Sequence, residues 1–112
     1  MKQLGNLVKN RWIEGTGEGT TLYNAINGVP VALASTDGID IKAMYDYARS
    51  TGGFALRKMT FQERGIMLKK LALHLHSIKH KFYTVSSETG ATKIDSWIDI
   101  EGGIGNLFAN AS

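Results

Sequence analysis

The sequence predicts an α+β fold: an antiparallel β-meander over residues 1–35, then about four helices over residues 36–112. Three observations predict it. The first third alternates short apolar runs with turn residues, and Asn27-Gly28 sits between two such runs as a hairpin signal. From residue 36 onward the apolar residues instead recur at helical spacing. Thr60 with Glu63, and Thr92 with Asp95, precede two of those stretches as N-caps.

The strands come first. Leu22–Ile26 and Val29–Leu33 flank Asn27-Gly28, and a type I′ turn there requires φ > 0 at both central residues. Pro30 cannot donate to a ladder, which predicts an edge strand or an unpaired N–H direction. An earlier pairing joins Leu7-Val8 to Trp12-Ile13 around Lys9-Asn10.

Helices follow. Asp37 is placed to cap the first, with Asp40 in its opening turn. Ile41, Met44, Tyr45 and Ala48 make its apolar stripe, and Gly52-Gly53 is its expected end. Thr60 and Glu63 form a capping box ahead of a helix burying Phe61, Gly65, Leu68, Leu71, Ala72 and Leu75. Ser77 interrupts and is placed to cap a third helix carrying Ile78, Phe82 and Val85, closed by Gly90. The last helix opens at Thr92 and carries Ile94, Trp97, Ile100, Ile104, Leu107 and Ala111. Its pattern is still running at Ser112, which predicts that the chain belongs to a longer polypeptide.

Composition narrows the function classes. The chain has 112 residues, 43% apolar and 21% charged, as an ordinary globular domain does. No apolar run approaches the ~20 residues of a membrane span, and the start has no apolar h-region. The expected location is therefore cytoplasmic. The absence of cysteine excludes disulfides, thiolate metal sites and a cysteine nucleophile within these residues.

Five motifs could carry chemistry. Gly15–Thr20 is glycine-rich, but it precedes a strand rather than opening a helix, and Glu18 would repel phosphate, so a strand connection is expected. His74, His76 and His80 have no acidic neighbour to complete a metal shell and are expected to be solvated. Arg64, Lys69, Lys70, Lys79, His80 and Lys81 diverge around a helix and predict a solvated face, with no nucleic-acid partner. Asp95, Asp99 and Glu101 lie early in a helix, where the dipole favours negative charge without any catalytic role. The hardest to dismiss is Gly102-Gly103-Ile104-Gly105. Each helical glycine costs about 0.8–1 kcal/mol relative to alanine, so the run demands either close helix packing or a cleared surface beside a ligand.

Several words in the chain are those of a known family. They are Asn10–Gly15 with its tryptophan, the stretch through Asn24–Thr36, a helix ending in Ala48-Arg49, Thr60-Phe61-Gln62-Glu63-Arg64, and Glu88-Thr89-Gly90. Over essentially its whole length the chain resembles the amino-terminal segment of the aldehyde dehydrogenases. Ser96-Trp97 through Gly105 resembles the bifunctional branch of phenylacetate degradation, in which a dehydrogenase domain precedes a carboxy-terminal hydrolase domain. The resemblance implies an α/β parent with a Rossmann-type cofactor domain, of which residues 1–112 are the amino-terminal portion. It implies oxidation of a CoA-linked semialdehyde with NADP or NAD, and a homo-oligomer. The family's nucleophilic Cys, general-base Glu and cofactor motifs lie downstream. These residues alone are thus expected to be inactive and to bind no cofactor, with the remainder of the dehydrogenase domain as their partner. In the family the helix matching Ile94–Ala111 lines the substrate entrance, which makes Ile98, Gly102 and Gly103 the candidate entrance residues. The alternative is a stand-alone helical binding module that sets its basic helix on an anionic partner; a third is a purely structural interaction domain.

Overall fold

The structure is a computed structural model that describes all 112 residues. The chain divides into two compact units, Met1–Arg57 and Lys58–Ser112.

The first unit holds all the strands: β1 (Lys2–Gln3), β2 (Gly5–Val8), β3 (Arg11–Glu14), β4 (Thr20–Tyr23) and β5 (Pro30–Ala34). β2 and β3 form a hairpin with Leu7 opposite Trp12 and Val8 opposite Arg11. Lys9 and Asn10 join them with φ of 49° and 65°. This two-residue loop meets the type I′ requirement of two positive φ values, which matches the right-handed twist of the strands.

The Asn27-Gly28 expectation needs correcting. Only Gly28 takes positive φ (71°), and the loop runs from Asn24 to Val29. Side-chain oxygens shape it instead: Asn24 Oδ1 accepts from the Ile26 amide at 2.9 Å, and Asn27 Oδ1 from the Val29 amide at 3.0 Å. Short polar side chains thus supply turn bonds that a tight backbone turn would otherwise make.

β4 and β5 pair antiparallel as expected, with Leu22 opposite Ala32. The meander itself is overturned, because β1 joins β5 in parallel with Lys2 opposite Ala32. The sheet order is β1-β5-β4, and β2–β3 stands as a separate two-stranded sheet. The long excursion between β1 and β5 is what permits a parallel pairing. Pro30 consequently lies in the central strand, not an edge. It is that strand's first residue, where a missing N–H is tolerated.

Helix α1 spans Ile41–Tyr47, and its N-cap is Asp40, whose carboxylate accepts from the Ala43 amide at 2.9 Å. Asp37 is not the cap: Gly38 turns the chain with φ 79° before the helix can begin. Nor do Gly52-Gly53 end it. The helix passes through a π-turn at Ala48–Gly52 into α2 (Gly53–Lys58), where Gly53 keeps helical φ −61° and ψ −38°. Glycine stops a helix by taking the left-handed conformation, and here it does not.

The second unit is helical: α3 (Phe61–Ser77), α4 (Lys79–Glu88) and α5 (Lys93–Asn110). The capping box forms as expected, with the Glu63 amide donating to Thr60 Oγ1 at 3.1 Å and the Thr60 amide to Glu63 Oε2 at 2.7 Å. The break falls at Ile78 (φ −110°), and Ser77 does not cap α4; its hydroxyl donates back to the His74 carbonyl at 2.6 Å. Gly90 closes α4 at φ 84°. Helix α3 packs on α5, and the buried apolar residues of the unit are Ala72 on α3, wholly buried, and Ile104 on α5, 6% exposed. Leu68 and Leu75 continue the inner line of α3, half-buried, whereas Phe61 and Leu71 are exposed, contrary to expectation. On α5 the expected stripe divides. Ile100, Ile104, Leu107 and Ala111 turn inward, while Ile94 and Trp97 do not, Trp97 being 57% exposed.

Candidate substrate-entrance helix

Helix α5 is specified at its start. The Asp95 amide donates to Thr92 Oγ1 at 3.1 Å, and the threonine hydroxyl donates in turn to the Asp95 carboxylate at 2.7 Å. Asp95 therefore serves the cap, where the helix dipole favours its charge. Asp99 is exposed, and of the three carboxylates only Glu101 faces inward.

Glu101 is the polar centre of the unit. Its carboxylate accepts from Lys79 Nζ at 2.7 Å and from the Tyr83 hydroxyl at 3.4 Å, both on α4. His76 Nε2 stands 3.4 Å from the same ammonium. The bond from Lys79 holds the Glu101 carboxyl below the usual glutamate range, against the opposing effect of desolvation. Tyr83 is pushed the other way, upward, first by desolvation and then by the Glu101 charge. Farther along the same seam the hydroxyls of Ser86 and Ser96 share a hydrogen bond of 2.8 Å, with Ser96 buried. The seam between α4 and α5 is thus tied by polar groups, whereas the buried Ala72 of α3 and Ile104 of α5 are apolar.

Immediately after Glu101 come the glycines. A Cβ built on Gly102, Gly103 or Gly105 meets nothing within 4 Å. Close packing within this unit is therefore not the reason for them. Ile98, also on this helix, is 59% exposed. Ile98 and Gly102, four residues apart, share one face of α5. Gly103 lies about 100° farther round and faces elsewhere. The structure brings two of the three candidate entrance residues together and separates the third.

Two residues of the basic stretch are engaged within the unit. Lys79 is engaged by Glu101, and Arg64 lies over the Phe61 ring at 4.8 Å from its centroid. Among the histidines the break at Ile78 separates His76 from His80, and no group of His, Asp and Glu side chains is placed to hold a metal ion. No helix is long and apolar enough to cross a membrane.

A 3,4-dehydroadipyl-CoA semialdehyde dehydrogenase of Aromatoleum evansii is 36% identical to the chain over 103 residues. Those residues are 91% of this chain and 20% of that protein. The chain is a relative of the aldehyde dehydrogenases. No protein-family model matches it. The chain spans about a fifth of the length of the curated relative it matches (20%).

Aldehyde dehydrogenase kinship raises the question of a dinucleotide site, and Gly15–Thr20 is the segment to test. It does not fit. The loop leads into β4, and Thr16 is already engaged: its amide and hydroxyl both donate to the Asp37 carbonyl at 2.9 and 3.2 Å. The Asp37 carboxylate sits beside Gly17, 2.9 Å from where a Cβ would lie. A carboxylate beside the loop, a loop that opens no helix, and a Thr16 amide already engaged do not fit a pyrophosphate.

Sequence reasoning missed the Lys79–Glu101 pair. A signal was present: a lysine at the first position of α4 opposes the dipole and needs a counter-charge. Spacing alone could not say which carboxylate would supply it.

Proposed function

We propose that residues 1–112 are the amino-terminal portion of the cofactor-binding domain of an NAD(P)-dependent aldehyde dehydrogenase. The parent acts on a CoA-linked semialdehyde in aromatic (phenylacetate) catabolism. The observation that carries the reading is the 36% identity along 91% of the chain to a dehydrogenase whose named substrate is a CoA-linked semialdehyde. The parent is taken as a Rossmann-type α/β protein, a cytoplasmic homo-oligomer with a carboxy-terminal hydrolase domain. Its chemistry is cysteine attack on the aldehyde, hydride transfer to the nicotinamide and hydrolysis of the thioester. None of those groups belongs to this chain. Its contribution is a wall: Ile98 and Gly102 border the substrate entrance, with Gly103 beside them on the neighbouring face. The unfilled space over Gly102 supports this reading, since a bulky acyl-CoA needs clearance that a side chain would remove.

The test is turnover by the complete polypeptide that carries this chain. It should reduce NAD(P) with a CoA-linked semialdehyde, while the 112-residue chain alone should do nothing. Nicotinamide reduction by the isolated chain, or a complete polypeptide inert towards every CoA-linked semialdehyde offered, would overturn the reading.

A further inference from the structure

The glycine turn of α5 raises a mechanical problem. Gly102, Gly103 and Gly105 lack side chains to pack and are surrounded by open space, so they contribute no contact that fixes the helix's rotation. Glycine also carries the largest backbone freedom of any residue. Around that turn the inward groups are Ile104, buried, and Glu101, bound to α4, with Ile100 and Leu107 half-buried to either side. Ile104 supplies the apolar part of the inward face of α5. Glu101, about 60° round the helix and directly before Gly102, supplies its polar tie.

Lys79 is suited to this task by its place. It is the first residue of α4, just past the backbone break at Ile78, so its ammonium enters from a fixed corner rather than from mid-helix. A cation at a helix N-terminus is disfavoured by the dipole, whereas a carboxylate there is favoured. Glu101 therefore answers both the ammonium and the helix end. Tyr83, one turn along α4, adds a second donor to the same oxygen, Oε1. The side chains of Lys79 and Glu101 are 34% and 24% exposed, so the bond is partly shielded from water.

We propose that Lys79 and Glu101 are positioning residues that hold the rotation of α5, and with it the direction in which the Ile98–Gly102 face points. This rests on the reading of that face as the substrate entrance. Neither residue touches substrate. Losing the pair lets the glycine turn rotate or fray, and the wall closes on a bulky substrate while a small one still passes.

The experiment uses the complete polypeptide in four forms: unaltered, Lys79→Met, Glu101→Gln, and the exchanged pair Lys79→Glu with Glu101→Lys. Each is assayed with a CoA-linked semialdehyde and with a short aliphatic aldehyde. Each single variant should lose about tenfold in kcat/KM for the CoA-linked substrate, mostly in KM, and less than about twofold for the short one; tenfold corresponds to about 1.4 kcal/mol. The exchanged pair should recover part of the loss. A readout independent of activity is the Glu101 carboxyl followed by carbon-13 NMR: its titration should move up towards the ordinary glutamate value in Lys79→Met. If the titration moves but both substrates fall equally, or neither changes, the positioning role is overturned. If the titration does not move, the contact itself is refuted. If the unaltered polypeptide never turns over the CoA-linked substrate, the entrance reading fails, and the carboxyl titration still reports on the pair.

Discussion

Two glycine-rich regions of this molecule look alike on paper and are opposite in physics. In the loop at Gly15–Gly19 the backbone demands glycine. A Cβ on Gly15 would lie 2.3 Å from the Ser35 carbonyl oxygen, and Gly17 takes φ 76° beside the Asp37 carboxylate. Side chains there would collide or be strained. In α5 nothing demands it: Gly102, Gly103 and Gly105 are helical, and a Cβ on any of them meets open space. The first set is accounted for by its immediate neighbours. The second makes the helix less stable and gains no contact inside these residues in return.

The largest effect expected from this contrast is at Gly15. Gly15→Ala forces a methyl group against backbone, which cannot swing aside as a side chain could. Overpacking of this kind costs typically about 1–3 kcal/mol. Chemical denaturation of the complete polypeptide should show a lowered midpoint with an unchanged slope. A neutral Gly15→Ala would mean that the loop yields, and the contrast would lose its first half.

Gly102→Ala tests the second half and should move the other way. Alanine is preferred over glycine in a helix by about 0.8–1 kcal/mol, and there is room for the methyl group. Thermal unfolding should show a small rise in Tm. Activity on a CoA-linked semialdehyde should not rise with it, because stability and clearance make opposite demands on that position. A fall in Tm would show that Gly102 packs against something outside these residues, and it would remove the case for an entrance wall.

How much of this was legible in the sequence depends on range. The caps at Thr60 and Thr92 and the closing Gly90 were readable because each is settled within a few residues by one side chain and the backbone beside it. The hairpin at Lys9-Asn10 was readable as a pairing, but the Asn27-Gly28 signal named the wrong place for the type I′ geometry. Asparagine has two ways to make a turn, and at Asn27 the side chain rather than the left-handed backbone prevailed. The parallel strand β1 was invisible. A two-residue strand has no pattern of its own, and its partner β5 lies far along the chain. In the candidate site, that Ile98 and Gly102 share one face of α5 was readable because helical periodicity is a local property. Gly103, expected close by, lies next in the chain and about 100° round the helix from Gly102. The Lys79–Glu101 bond joins two helices, and no spacing rule reaches across a fold in the chain.

The smallest effect expected concerns that bond and acid. The Lys79 hydrogen bond lowers the Glu101 carboxyl below its ordinary 4.5 in the folded chain. A depressed folded value means the carboxylate form is bound more tightly in the folded state than in the unfolded one. Its stabilising effect is therefore fully present above the ordinary glutamate value, and it is lost as pH falls through the lower, folded value. The glycine turn and its tie should part company in that window. Above it, Glu101→Gln should be less stable than the unaltered protein, since a neutral amide keeps a bond to Lys79 but loses the charge. As pH falls through the window the difference should shrink, because the unaltered protein gives up its carboxylate while the variant has none to lose. Denaturation midpoints of both proteins at closely spaced pH values across the acid range would measure it. High salt should reduce the gap at neutral pH, since both side chains remain partly exposed to screening. A difference that stays constant with pH would mean that Glu101 matters through its shape and not its charge, and the tie beside the glycine turn would then be packing after all.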